Sequence, residues 1–531
     1  MTPRPADFPG ASAVRHRAIT PRPVVPLWAA IVLAAASGPI MDAGFPDTYL
    51  WPFTFAGIAL VLVSLIGRRI GSAVLVGFIA GASFYFIHIW WASTFLGPLP
   101  MSALSVLQSL FVALGAVAIC LAYRWMPRAF PTPAGRLWLL PIVVAGLWTA
   151  REAWSAVWPY GGFSWGRVAM SQAESPVSSL FGWLGISGVS FVMVLFVAAT
   201  IELARAVAPG IRLSAVLPSA LVLAVLLGTP AFAVQTDGTV RVAAVQGNGR
   251  AGYFQGASRE ELLQAQLDAT VPLFGQQADI LLWPESSVTP LTDSYTAKVF
   301  DTVANEFDAA LITGTITERD GLTYNTSMLW EPGKGAIDLY DKKHPVPFGE
   351  YVPDRAFWEP FAPDLIGLIQ REYTPGTTDM VMDVALRDGG TVRVGVNICF
   401  DIVDDQIMTE SVEQGAQVIF AQSNNADFGT TDESVQQLAI AQIRAMELGR
   451  SVVNVSTVGI TAVIEPDGTI TERLPWYTAG SILTDVKLSS VTTPAVLVGR
   501  QFEWLVSIIG LAGLVIGWIF GRSASGRRPR A

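Results

Sequence analysis

The chain has 531 residues, 51% of them hydrophobic and only 15% charged, with a mean hydropathy of +0.45. Soluble globular chains carry about 25% charged residues, so the composition argues against a wholly soluble enzyme, a disordered chain and a coiled coil. A net charge of −9 argues against a nucleic-acid partner, and two Cys with three scattered His cannot make a disulfide scaffold, a zinc finger or a histidine metal site.

Residues 1–25 form a Pro- and Arg-rich tail, expected to be mobile. A spanning helix needs about 20 mostly apolar residues. Seven such runs precede residue 234, at 26–43, 50–67, 71–93, 101–123, 136–157, 178–203 and 213–233. An eighth, FEWLVSIIGLAGLVIGWIF, occupies 502–520 and leads into a basic tail at 521–531. Pro39 and Asp42 interrupt the first run. It is not read as a cleaved signal peptide, because further spans follow and no A-x-A site is evident.

Between residues 234 and 501 the composition changes. This segment holds 36 acidic and 17 basic residues and every Lys, against 7 acidic and 17 basic residues elsewhere. It reads as a separate, acidic, water-facing domain. Arg residues outside it cluster before the first run, between runs 2 and 3 (Arg68, Arg69), 4 and 5 (Arg124, Arg128, Arg136), 6 and 7 (Arg205, Arg212), and after the eighth. The alternate loops hold only Arg151 and Arg167. The positive-inside rule then places both termini in the cytoplasm and the 234–501 domain outside. His88, Trp90, Trp91, Trp154 and Trp158 are expected in an interfacial aromatic belt. Glu152 in run 5 is expected to have a structural role.

The outer domain reads as α/β. Candidate strands are Thr239–Val245, Ile280–Trp283, Ala310–Thr315, Val392–Ile398, Val418–Gln422 and Ser451–Ser456. Candidate helices are Ser258–Leu273, Ser294–Phe307, Ile407–Gln414 and Ser434–Gly449, the first with a Ser258/Glu261 capping box. A hairpin is expected at Ser327–Tyr340, turning at Pro332–Gly335.

Three segments carry reactive residues. LLWPESSVTP puts Glu285 just after a strand, YDKKHPVPFGEYVP holds Lys342, Lys343 and Glu350, and VRVGVNICFD places Cys399 at a strand end. Cys399 is the one thiol outside the apolar runs. A small buried hydrophobe is one reading of it. A nucleophile is the other, and that needs a base to form the thiolate and donors for an oxyanion. Pairing with His344, the domain's one His, or with a Glu base and a Lys cation would each serve.

Glu, Lys and Cys in that order, in WPE, K-x-H-x-V-P-F-G-E and N-I-C-F-D contexts, resemble the nitrilase (carbon–nitrogen hydrolase) superfamily. Joined to eight spans they resemble its membrane-bound branch, the apolipoprotein N-acyltransferases. VAAVQGN at 242–248, GGFSWGRVAMSQ at 161–172 and RAMELGR at 444–450 extend the likeness over nearly the whole chain. The resemblance implies eight transmembrane helices plus an extracytoplasmic nitrilase-like αββα sandwich in a bacterial inner membrane. It implies that Glu285 is the proton acceptor, that Lys342 steadies the oxyanion and that Cys399 is the nucleophile, with Glu350, Phe400 and Asp401 in support. Lys343 is then a solvated neighbour. The implied reaction moves a fatty acyl chain from a phospholipid, through a Cys399 thioester, to the α-amine of a diacylglyceryl-cysteine on a lipoprotein. It requires no metal or nucleotide, and a monomer is expected.

The chain departs from the family pattern at several positions. Asp401 stands where Glu is frequent, Asp427 replaces an aromatic, and Gln437 replaces a His. Tyr253 and Phe254 are the nearest aromatics after VAAVQGN, where some members carry Trp. FWEPFAPDLIGLI at 357–369 is apolar for an acidic domain. It is expected to be a membrane-touching lid carrying Trp358, Phe361, Leu365 and Ile366, with Asn424 a further substrate-side candidate. Two other readings are a membrane-tethered amidase using the same triad on a small amide, and a receptor or transporter with an outer binding domain. The scarcity of ionisable residues in the spans speaks against a transporter.

Overall fold

Apolar helices and β-branched strands are segregated along the chain, and they separate in space into a helical layer and an α/β layer. The computed structural model describes residues 22–207, 213–254, 256–288 and 294–526. Residues 1–21 of the expected N-terminal tail, Arg212 and residues 527–531 lie outside them.

Eight apolar helices, each overlapping one expected run, build the helical layer. They are Leu27–Asp42, Pro52–Leu65, Ile70–His88, Pro98–Ala129, Leu140–Val157, Phe181–Val207, Leu213–Gly228 and Pro494–Gly526. Four of these segments, Ile70–His88, Pro98–Ala129, Pro176–Ala206 and Pro494–Arg522, are long and apolar enough to cross a membrane. Leu27–Asp42, Pro52–Leu65 and Ala215–Gly228 are apolar but shorter. At 1.5 Å per residue a 16-residue helix spans about 24 Å, short of a hydrocarbon core of about 30 Å. Leu140–Val157 carries Arg151 and Glu152. The last helix starts at Pro494, inside the segment expected to belong to the outer domain.

Among the described residues twelve strands lie between the last two of these helices: β1 (Gly238–Gln246), β2 (Ile280–Leu282), β3 (Ala310–Arg319), β4 (Leu322–Glu331), β5 (Gly335–Asp341), β6 (Val381–Ala385), β7 (Thr391–Ile398), β8 (Val418–Ser423), β9 (Val452–Ser456), β10 (Thr461–Ile464), β11 (Ile470–Leu474) and β12 (Gly480–Leu488). They form two six-stranded sheets, ordered β12-β1-β2-β3-β4-β5 and β11-β10-β9-β8-β7-β6. The central strands β1–β3 and β7–β9 run parallel within their sheets, and the flanking strands are antiparallel. The expected strands overlap β1, β2, β3, β7, β8 and β9, with Trp283 and Ser451 just outside, and the expected hairpin is β4–β5. β6, β10, β11 and β12 have no counterpart in the sequence reading. β11 and β12 carry charged residues at Glu472, Arg473, Asp485 and Lys487, so their apolar period is weak.

Side-chain alternation decides the layering. Val242, Ala244, Val394, Val396, Phe420 and Val453 share one core between the two sheets. Ala243, Val245, Leu281 and Trp283 point the other way, onto Phe300, Val303 and Phe307 of the Ser294–Phe307 helix and Leu263 of the Arg259–Thr270 helix. The latter opens with the expected capping box: Ser258 Oγ accepts from the Glu261 N–H at 3.2 Å and the Ser258 N–H donates to Glu261 Oε2 at 2.7 Å. On the second sheet's outer face pack the Asp405–Glu413 and Glu433–Leu448 helices. The result is an αββα sandwich.

The Glu433–Leu448 helix also packs against the helical layer, so one apolar cluster runs from the spans into the sandwich. Polar contacts lock this junction. Arg167 donates to both carboxylate oxygens of Asp405 at 2.6 and 2.7 Å, and Arg444 donates to Asp405 at 2.8 Å. Arg444 also holds the Ile402 and Val403 carbonyls, and Ser164 Oγ donates to Val403 at 2.9 Å. The short turn containing Cys399 is thereby fixed to the helical layer. His88 and Trp91 are buried here rather than at an interfacial belt. His88 meets Asp42 at 2.9 Å, and Trp91 Nε1 donates to Gln436 at 3.1 Å. Glu152 is buried and accepts from Trp148 Nε1 at 2.8 Å.

Candidate active site

The reactive residues follow the C-terminal ends of β2 and β5 in one sheet and β7 in the other, where the chain leaves the sheets. β2 ends at Leu282, and Glu285 follows in the next turn. β3 passes close behind that turn. A Cβ on Gly314 would lie 2.5 Å from the Glu285 Cα, so only glycine allows the approach. Asn325 on β4 aims its amide between two carboxylates. Nδ2 donates to Glu285 Oε1 at 2.7 Å and to Glu350 Oε1 at 3.2 Å.

Lys342 follows β5, pinned by its N–H to the Asn325 carbonyl at 2.8 Å. Its side chain is 1% exposed, with Nζ 2.7 Å from Glu350 Oε2 and 3.9 Å from Glu285 Oε1. Glu350 Oε2 also accepts from the Val346 N–H at 2.7 Å. The ion pair is therefore part of a bonded network rather than an isolated contact.

Cys399 opens the Cys399–Val403 3₁₀ turn after β7, with φ +51°. That left-handed conformation is costly for a residue with a Cβ, and such strain concentrates at functional sites. Asp401 helps to hold the turn. Fully buried, it accepts from the Ile398 N–H at 3.1 Å, the His344 N–H at 3.1 Å and Tyr340 Oη at 2.8 Å. His344 is not a partner of Cys399; its ring meets Asp404 at 2.9 Å. Lys343 reaches Glu410 at 3.6 Å. Phe400 stacks on Phe163 and Trp165 of the helical layer, with centroids 6.2 and 6.5 Å apart.

Burial and charge set the protonation states. Burial pushes Glu285 up to about 7, against the pull of Lys342. Burial opposes the charge on Lys342, but Glu350, Cys399 and Glu285 outweigh it and hold its pKa above the ordinary range. The Cys399 thiol is pushed well up by burial and by Glu285, with Lys342 opposing. Glu285 Oε2 is buried and has no hydrogen-bond partner among the described residues. A base with one oxygen clamped and one free, a buried ammonium and a strained thiol can together run acyl transfer.

The structure thus brings Glu285, Lys342, Glu350, Cys399 and Asp401 together, with Phe400 alongside. Asn325 was missed because an Asn in the middle of a strand carries no local signal. The lid candidates divide. Phe357, Phe361 and Leu368 are exposed, at 59%, 73% and 45%. Leu365 is half-buried. Ile366 is buried against Val352 and Ile369, so it cannot face a membrane. Trp358 is half-buried, packs on Phe348 and donates to Tyr160 Oη at 3.2 Å. The Asn424 side chain ties its loop to two others: Nδ2 donates to the Ala251 carbonyl at 2.8 Å, and Oδ1 accepts from Thr457 Oγ1 at 2.8 Å. It has little left to offer a substrate. Asp427 accepts from the Tyr253 N–H at 2.9 Å, and Tyr253 Oη accepts from the Gln370 and Arg371 N–H groups, tying Tyr253 to the end of the 357–369 segment.

Comparison with known proteins gives the family. Residues 37–199 match the family profile described as the apolipoprotein N-acyltransferase N-terminal domain, and residues 241–494 match the carbon-nitrogen hydrolase profile. The apolipoprotein N-acyltransferase of Mycolicibacterium smegmatis is 32% identical, over 92% of this chain and 85% of that protein. The chain belongs to the apolipoprotein N-acyltransferase family. The Pseudomonas aeruginosa PAO1 member is 30% identical, over 94% of this chain and 97% of its own length. Among solved structures, Saccharomyces cerevisiae Nit3, a member of branch 10 of the nitrilase superfamily, aligns with 52% of this chain and 97% of its own at 17% identity and a TM-score of 0.37. Apolipoprotein N-acyltransferases are membrane acyltransferases, and the apolar helices of this family member accord with that.

Proposed function

We propose that this family member transfers a fatty acyl chain from a phospholipid to the α-amine of a diacylglyceryl-cysteine on a lipoprotein, by a ping-pong route through Cys399. Glu285 Oε2 takes the thiol proton as Sγ attacks the ester carbonyl. The tetrahedral oxyanion is steadied by Lys342. The C–O bond breaks, and the lysophospholipid leaves with the proton that Glu285 held. The amine then attacks the thioester, its proton passes to Glu285, and the C–S bond breaks with the electron pair returning to sulfur. A thioester suits the second step, because it is far more reactive toward an amine than the starting ester. The observation that carries the reading is Glu285, with one oxygen held by Asn325, the other free, and its affinity for a proton raised to about 7 beside a protonated thiol.

The chain is read as an eight-span protein of the bacterial cytoplasmic membrane, acting as a monomer. Both termini lie inside and the sandwich outside, as the alternation of Arg-rich loops supports. The exposed Phe357, Phe361 and Leu368 form the apolar face by which lipid reaches the site.

Intact-mass analysis tests the first half-reaction. After incubation with dioleoyl phospholipid, the protein is expected to gain one oleoyl mass that hydroxylamine removes and that Cys399→Ala lacks. A diacylglyceryl-cysteine peptide with a free amine is then expected to discharge it. No adduct on a thiol that still reacts with iodoacetamide would overturn the reading and favour a membrane-tethered amidase.

A further inference from the structure

A chain of buried amides and hydroxyls ends at the Cys399 sulfur, and its direction is set at the far end. The Gly459 N–H donates to Ser456 Oγ at 2.9 Å. Accepting that bond, Ser456 Oγ turns its own hydrogen onto Asn425 Oδ1. Ser423 Oγ donates to the same oxygen at 3.2 Å, so Asn425 presents its NH₂ on the other side. Nδ2 donates to Gln437 Oε1 at 2.8 Å and to Glu433 Oε2 at 2.7 Å. With its oxygen taken, Gln437 can only offer Nε2 to Cys399 Sγ, which lies 4.0 Å away. Gln437, Asn425 and Glu433 are each no more than 3% exposed, so water does not compete for these bonds. Gly459 has to be glycine, since a Cβ there would lie 2.1 Å from Asn425 Oδ1.

We propose that Gln437 is a further catalytic residue of this site, donating its Nε2 hydrogen to the Cys399 sulfur whenever that sulfur carries negative charge. This rests on Cys399 being the nucleophile of the proposed transfer. Sulfur is charged at two points: on attack, after its proton has gone to Glu285, and on thioester cleavage, when the C–S electron pair returns to it. At both points the other charges facing it are Glu285 and Glu350, Lys342, and Glu433 from the Glu433–Leu448 helix; Asp401 and His344 lie behind Lys342. The single ammonium faces three carboxyl groups, so an uncharged donor on the sulfur has a clear task. Burial raises the proton affinity of Glu433 to about 8, which keeps that carboxyl from adding a negative charge near the thiol at neutral pH. Apo contacts of this kind are commonly long and tighten when charge develops.

The test reads the thiol directly, without acyl donor. The rate of Cys399 alkylation by iodoacetamide is measured against pH for the full-length protein in detergent. Gln437→Met keeps the size and removes the donor, and is expected to raise the alkylation midpoint by about one unit, about tenfold slower alkylation at pH 8. Ser456→Ala removes the closer of the two hydroxyls that orient Asn425, so it is expected to raise the midpoint in the parent but to add nothing in Gln437→Met. A merely structural role would not produce that dependence. Should Gln437→Met fail to fold, Ser456→Ala carries the test alone. Midpoints within about 0.3 unit of the parent in the folded variants would overturn the proposal. A shifted midpoint with no acyl adduct in the parent would instead uphold the donor and refute the transfer.

Discussion

Glu350→Gln separates two effects of one charge. Glu350 Oε2 lies 2.7 Å from Lys342 Nζ, and the ammonium is 1% exposed. At an effective dielectric of about 20, that contact is worth about 6 kcal/mol of gross Coulomb energy before desolvation is counted. Removing one partner of a buried pair commonly costs about 3–5 kcal/mol. Gln still accepts from the Val346 N–H, so the lower end of that range is expected for stability. Lys342 is then drawn to Glu285, 3.9 Å away, and away from the carbonyl it should steady. Losing an oxyanion donor costs about 10²–10³ in rate, so acylation by phospholipid should fall by about that factor. The thiol should move the opposite way. Glu350 is one of the charges that raise its pKa, and removing it should lower the alkylation midpoint. The assay pairs single-turnover acylation, read by intact mass, with the iodoacetamide pH profile. Acylation within about threefold of the parent, or a midpoint that rises, would refute the reasoning.

Acylation should climb with pH through about 7. Glu285 is protonated below its raised pKa and cannot take the thiol proton there, so the rate is lost as pH falls through that value; a flat profile between pH 5.5 and 8.5 would contradict it. Asn325→Ala strips the donor from Glu285 Oε1 and Glu350 Oε1, costing about 1–3 kcal/mol in thermal or denaturant unfolding, and should move that limb to higher pH because Asn325 lowers the Glu285 pKa. Replacing Phe357 and Phe361 together by Ser should slow acylation from vesicles while leaving the unfolding temperature and thiol alkylation unchanged, since both rings are exposed. Arg167→Ala leaves Asp405 with Arg444 alone at a partly exposed site, so a loss of about 1–3 kcal/mol is expected in thermal unfolding.

Much of this molecule was legible along the chain. Apolar run length marked eight helices, and β-branched runs bounded by turns marked the central strands, because both signals are local. Glu285, Lys342, Glu350 and Cys399 could be picked out by motif resemblance, because the motifs are short and local. Other features depend on which strands and loops come together. Asn325, Asn425, Ser456 and Gln437 look like ordinary polar residues in sequence; only the sheet order places Asn325 between two carboxylates and turns Gln437 toward the sulfur. Both residues read as interfacial are buried: His88 between Phe45 and Phe84, and Trp91 against Trp165 and Phe428 with its Nε1 on Gln436 of the Glu433–Leu448 helix. Ile366 and Phe361 are five residues apart in one apolar segment, yet one is a core residue and the other faces out. Composition determines how much apolar surface must be covered, and tertiary packing decides which atoms cover it.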